Sequence, residues 1–211
     1  MIRELGGAVE RSFARGEIVA RQGDPSSFVY LVRSGIVKLS AVSAGGREAL
    51  VDLLGPGEAF GETGLFDPET HPATVRALLD CRVAILPHEI VRRELERNPE
   101  LAVALLRATA GRLARTSGRL EELLLHDVHT RVSMRLATLA RDHGKPCDRG
   151  ILVEPPLTQQ DLAQMVGSCR ETVNKVIASI AARGLIRIEG RRYVVPDVDA
   201  LLTSTGGPMF C

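Results

Sequence analysis

The stretch TQQDLAQMVGSCRETVNKVI, residues 158–177, sets several hydrogen-bonding side chains on the pattern of two short helices. Thr158 and Asp161 make a Thr-x-x-Asp capping signature for the first helix, and Leu162, Met165 and Val166 supply its inward face. Gly167 suits the left-handed conformation of a tight turn. Ser168 and Glu171 repeat the capping spacing, so the second helix is expected to begin at Cys169 or Arg170. Val173, Val176, Ile177 and Ile180 fall on one side of it, and Arg170, Glu171, Asn174 and Lys175 on the other. That second set matches the edges of base pairs in the DNA major groove. Arg can fork onto guanine O6 and N7, Glu can accept from cytosine N4, and Lys can reach guanine or phosphate. Gln159, Gln160 and Thr172 are placed for phosphate contacts, which position a protein without reading sequence. The plainer alternative is a surface helix whose charges are only solvated, and the flanking elements weigh against it.

Those elements must hold the reader in place. From Phe13 to Pro87 short apolar runs alternate with Gly, Pro and Asp, as in GEIVARQGDPSS, FVYLVRSGIVKLS, REALVDLLGPGEAFG and ATVRALLDCRVAIL. This spacing predicts a β jelly roll, with hairpin turns at Ser34-Gly35 and Gly45-Gly46. Asn98, Pro99 and Glu100 are start signals for a long helix running to about Leu125. On it Leu106, Leu113 and Leu120 are seven apart, with Thr109, Thr116 and Leu123 three residues behind each. An a/d seam of nearly three heptads predicts pairing with a second copy of the chain; packing on its own barrel is the alternative. Residues 127–143 read as an amphipathic helix, KPCDRG as a loop and ILVEP as a short strand. Runs 185–188 and 192–195 around Glu189-Gly190-Arg191 read as a hairpin, or wing. The expected architecture is α+β: a jelly roll over 1–97, a dimerisation helix over 98–126 and a winged helix-turn-helix over 127–211.

The bulk numbers are compatible with this. The 211 residues are 45% hydrophobic and 25% charged, with a net charge of +1. Residues 128–211 carry 11 Lys and Arg against 8 Asp and Glu, and residues 1–127 carry 16 against 18, so the helix-turn-helix part is the basic one. Trp is absent and aromatics make up 3%, which argues against stacking recognition of single strands. There is no apolar run of membrane-spanning length and no signal-peptide core, so a cytoplasmic location is expected. Cys81, Cys147, Cys169 and Cys211 are dispersed and fit neither a zinc site nor a disulfide framework.

These residues together resemble the CRP/FNR family of bacterial transcription regulators over nearly the whole chain. GEIVARQGD and YLVRSGIVKLS are similar to the opening of its effector-binding jelly roll, and GEAFGETGLFD, residues 57–67, to its phosphate-binding cassette. Arg170-Glu171 with a basic residue at 175 resembles the CRP branch more than the FNR branch. The resemblance implies a homodimer on double-stranded DNA at a palindrome of TGTGA-like half-sites, with RNA polymerase as a further partner. The family's third reader is usually Arg. Lys175 cannot make a bidentate fork, so discrimination at its base should be softer. The resemblance also implies a cyclic-nucleotide pocket. Gly61-Glu62 match the pair that holds ribose and phosphate, with Thr63 beside them, and Arg112, Thr116 and Ser117 match the helix side, the last two facing adenine. One element departs from the family: His71-Pro72-Ala73 stands where the phosphate-gripping Arg belongs. His71 is mostly neutral near pH 7, and Pro72 has no N–H. Cyclic AMP, another effector and no effector therefore all stay open.

Other chemistry is less well supported. An iron–sulfur relative needs N-terminal cysteines, and none precedes Cys81. His71 is a candidate haem ligand, though a lone loop His is expected to face solvent. His126 and His129 are spaced for a shared metal but lack a third ligand. Cys169, at a helix start, is a candidate redox thiol, against a plain small and partly buried residue. No catalytic triad, phosphate-binding loop or zincin motif is present, so an enzyme is not expected.

Overall fold

The computed structural model describes residues 7–66 and 70–204. Asp67, Pro68 and Glu69 of the cassette and the loop after it, and Cys211, lie outside the described residues. The chain forms two compact units that meet in sequence at Arg115 and Thr116.

The first unit contains strands β1 (Val9–Phe13), β2 (Ile18–Ala20), β3 (Phe28–Ser34), β4 (Val37–Val42), β5 (Glu48–Leu54), β6 (Ala59–Phe60), β7 (Thr74–Ala77) and β8 (Cys81–Pro87). They form two antiparallel sheets, β1-β8-β3-β6 and β2-β7-β4-β5. Side chains alternate across β3. Tyr30 and Val32 join Phe13, Val37, Leu54, Phe60 and Val75 in one core cluster. Val29 and Leu31 join Leu65, Ala84, Leu86, Val91 and Leu105 in another. Burial on both faces explains why this strand reads as an unbroken apolar run rather than an alternating one. Each fully buried Val or Leu contributes about 1.5–3 kcal/mol.

Several local expectations need correction here. Gly45-Gly46 does close a β4–β5 hairpin, with Gly46 at φ 76°. Ser34-Gly35 does not close one, because β3 and β4 belong to different sheets. Gly35, at φ 81°, instead lets the chain cross between sheets against Asp80 and Cys81, where a Cβ would come within 2.3 Å of the Asp80 carbonyl oxygen. Residues 88–97, expected within the jelly roll, form helix α1 (His88–Arg97). Its N-cap is Pro87, which gives no side-chain cap, so the usual start signal is missing. In the second unit, KPCDRG is not a plain loop: β9 (Gly144–Cys147) pairs with β10 (Gly150–Val153).

Helix α2 (Pro99–Leu125) starts where expected, with the Leu101 N–H donating to Asn98 Oδ1 at 3.3 Å. Leu106, Leu113 and Leu120 are 67%, 67% and 57% exposed, an apolar stripe uncovered within a single chain.

The second unit continues with α3 (Val128–His143), capped by Asp127, then β9, β10, α4 (Gln159–Val166), α5 (Arg170–Ala182), β11 (Arg187–Glu189), β12 (Arg192–Val195) and a terminal α6 (Val198–Thr203). The expected wing is the β11–β12 hairpin, turning at Gly190 with φ 64°, and β12 pairs with β10 to extend the sheet. Val132, Leu136, Leu162, Val173, Ile177, Ile180 and Leu201 form its buried interior.

Candidate functional site

Caps and a turn set the geometry of α4 and α5. Thr158 and Asp161 form a full capping box: Thr158 Oγ1 accepts from the Asp161 N–H at 3.1 Å, and Asp161 Oδ2 accepts from the Thr158 N–H at 2.9 Å. Gly167 is left-handed at φ 62° and ψ 44° and ends α4. Helix α5 begins at Arg170 with Cys169 as N-cap, so Ser168 lies one residue too early to cap it. The expected Ser168–Glu171 pair is therefore not formed. Glu171 instead folds back on the helix start. A hydrogen bond from its own backbone N–H, and one from the Cys169 side chain, hold its carboxyl below the usual range. Cys169 is exposed, with Sγ 3.0 Å from Thr172 Oγ1, so the partly buried reading of this residue is corrected.

Val173, Ile177 and Ile180 anchor α5 in the core. Arg170, Glu171, Asn174 and Lys175 are all exposed along its first two turns. Gln159 Nε2 donates to Asn174 Oδ1 at 2.9 Å, tying the two helices on that face. A groove beside it is lined by Thr158, Gln159, Gln160 and Arg170 from the helices and by Gly190 and Arg191 from the wing. Arg191 is a cation that the helix pattern alone does not reveal; its place in a Gly turn is the available signal.

The first unit holds a second concavity, of about 350 Å³ including its open mouth. Gly61 to Thr63, His71 to Ala73, and Arg112 line it, so seven residues from three separate stretches of sequence come together there. Gly61 is left-handed at φ 82°, and a Cβ on it would lie 2.4 Å from the Phe28 carbonyl oxygen. It opens the 3-10 turn Glu62–Leu65, whose first N–H groups lack intrahelical acceptors. Glu62 is buried, and its Oε1 accepts from Arg112 Nη1 at 2.5 Å. Arg112 Nη2 donates to the Ala59 carbonyl. Glu62 Oε2 is buried with no hydrogen-bond partner among the described residues, an acceptor suited to a ligand hydroxyl.

His71 departs from expectation. It is buried, not solvent-facing, with its ring 5.8 Å from that of Tyr30, and Tyr30 in turn stacks on Phe60 at 4.6 Å. Burial pushes its pKa down, Asp24 pulls it back up, and His88 lowers it further. The lowered pKa favours the neutral imidazole, so His71 offers this pocket no fixed cation of the kind a guanidinium would supply. Arg76 does not substitute, because its Nη1 donates to the Gly16 carbonyl at 2.6 Å. His88, not anticipated from the sequence, supports the Gly61 turn: its Nε2 lies 3.1 Å from the Gly61 carbonyl. A single His after a Pro carries no motif that would have found it. Thr116 and Ser117 follow Arg112 on α2 in the second unit, and both are exposed. Among the described residues, no three His, Cys, Asp or Glu side chains converge as a metal site, and no helix is long and apolar enough to cross a membrane.

The cyclic nucleotide-binding domain family matches residues 10–98, and the Crp-like helix-turn-helix domain family matches residues 130–203. The CRP-like cAMP-activated global transcriptional regulator of Mycobacterium tuberculosis is 36% identical over 189 residues, covering 90% of this chain and 84% of that protein. The chain belongs to the CRP/FNR family of transcription regulators. The global nitrogen regulator of Nostoc is 32% identical to this CRP/FNR regulator, over 89% of this chain and 85% of that protein. Among solved structures, the c-di-GMP responsive global regulator of Xanthomonas campestris superposes with a TM-score of 0.82 at 27% identity, covering 93% of this chain and 97% of that one. A CRP/FNR family regulator from Thermus thermophilus gives 0.78 at 29% identity, covering 94% and 100%. The α+β fold is that of the family, and this CRP/FNR member is a DNA-binding transcription regulator, not an enzyme.

Proposed function

We propose that this CRP/FNR regulator is a cytoplasmic homodimer that reads a palindrome of TGTGA-like half-sites and is gated by cyclic AMP. The observation that carries the DNA reading is the division of α5. Its apolar face is locked in the core while Arg170, Glu171 and Lys175 stand exposed together at its start. Gln159, Gln160 and Thr172 hold phosphates, and Asn174 supports the base-reading face. The exposed Leu106, Leu113 and Leu120 stripe favours pairing of α2 with its copy. Contact with RNA polymerase follows only from the family's working mode.

For the effector, the ribose half of a cyclic nucleotide suits this pocket. The unpartnered Glu62 Oε2 would accept from a ribose hydroxyl, and the N–H groups at the Gly61–Thr63 turn would face phosphate. Arg112 orients Glu62; a role for the Thr116 and Ser117 hydroxyls toward the base rests on the family resemblance alone. The relatives' names favour cyclic AMP, since the M. tuberculosis protein is named as activated by it. A second reading, effector-independent DNA binding, is favoured by one observation: neutral, buried His71 beside Pro72 supplies no phosphate anchor. Losing that charge-assisted contact costs up to about 3 kcal/mol. Calorimetry decides. Binding of cyclic AMP tighter than about 10 µM, about −7 kcal/mol, supports gating. No heat with cyclic AMP, together with tight palindrome binding by the ligand-free protein, supports the second reading.

A further inference from the structure

Arg131 belongs to neither the base-reading face nor the pocket, yet it holds two helix ends at once. It lies in the first turn of α3. Its Nε donates to the Val166 carbonyl at 3.0 Å, and its Nη1 donates to the His126 carbonyl at 2.8 Å. Val166 is the last residue of α4, and His126 is the first residue past α2. Final helical carbonyls lack intrahelical donors and carry the negative end of the helix dipole, so a cation with divergent N–H groups is suited to both. Lys in the same place would reach only one of them well.

Neighbouring contacts tighten the same joint. A Cβ on Gly167 would lie 3.0 Å from Leu123 Cδ2, so the turn between α4 and α5 sits against a seam residue of α2. Arg135, itself buried, pairs with Glu122 Oε2 at 3.4 Å. Only His126 and Asp127 separate α2 from α3, and neither is helical. All these residues lie in one compact unit with Thr116, Leu120 and Leu123 of the seam.

The geometry points to Arg131 as a positioning residue that fixes the recognition helix relative to the dimer seam, and so sets the half-site spacing the dimer accepts. This rests on the homodimeric reading above. In a two-fold dimer any swing of α5 about residues 126–127 occurs in both copies, so errors double across the site. One extra base pair turns a half-site by roughly 35° and shifts it by about 3.4 Å, so spacing is a sensitive gauge of that joint.

The test uses the full chain as wild type, Arg131→Ala and Arg131→Lys. Each is titrated on duplexes with two TGTGA half-sites whose spacer is varied by single base pairs, and on one duplex with a changed half-site base. Wild type is expected to prefer one spacer over its neighbours by about tenfold or more, and both variants by less than about threefold, with the loss from the changed base unaltered. Variants as selective for spacing as wild type overturn the inference alone. Variants that lose base discrimination in parallel also overturn it, since Arg131 would then only support folding of the unit. If Arg131→Ala does not fold, Arg131→Lys, which retains the charge, decides. A wild type that prefers TGTGA but is indifferent to spacing contradicts the dimeric reading, and this inference falls with it.

Discussion

Lys175 and His71 each offer single donors where a guanidinium would offer a fork, and the consequences differ because their surroundings differ. Lys175 is exposed on α5, and an ammonium there is long enough to reach a base edge or a phosphate. Lys175→Ala should lower discrimination at one base pair by about 1–3 kcal/mol, read by competition with single-base variants of the palindrome. A uniform loss across all bases would make it a phosphate contact instead. His71 is buried between Tyr30 and the Asp24 backbone, whose carbonyl accepts from the His71 N–H at 2.9 Å. Burial lowers its pKa, so the folded state binds its proton less readily than the unfolded chain does. Its contribution is therefore complete above the ordinary imidazole range, near 6.5, and declines as the pH falls through that range. Urea midpoints compared at about pH 7.5 and 5 should fall less for His71→Gln than for wild type. Equal declines would place the acid sensitivity elsewhere.

Helix α2 shows how an element can be legible while its neighbours are not. Its capping residues marked its start, and its seven-residue Leu spacing marked its exposed stripe. Leu113→Glu should shift the chain from dimer to monomer in sedimentation without unfolding either unit, because Leu113 is 67% exposed in the single chain. A variant that remains dimeric would move the interface off this stripe. The first reader helix and the turn after it were equally plain, since the Thr158–Asp161 box and the Gly167 turn are local signals, whereas the Ser168–Glu171 cap expected for α5 does not form. Helix α1 was not, because it follows β8 through Pro87 with no polar cap. The Ser34-Gly35 turn misled for a related reason. A positive-φ Gly marks a reversal of the chain, but which strand then pairs with which is decided by distant partners such as β8 and β7. The Gly61-Glu62 turn was marked only by the family resemblance, while the burial of His71 and the support from His88 depend on tertiary contacts that no spacing encodes.

At the scale of the whole molecule, the chain combines a cyclic-nucleotide-binding fold with a Crp-like helix-turn-helix, and its function rests on whether the exposed start of α5 selects sequence. The wing and the α4 start add cations and amides around that face, and cations beside a DNA-reading face attract any duplex in a salt-dependent way. Sequence selection has to be separated from that general attraction. The most direct measurement is a gel-shift titration at physiological salt, with the full chain on a TGTGA-type palindrome and on a random duplex of equal length, with and without cyclic AMP. The palindrome should bind at least about a thousandfold more tightly in one of the two conditions. Equal affinity for both duplexes in both conditions would contradict the account.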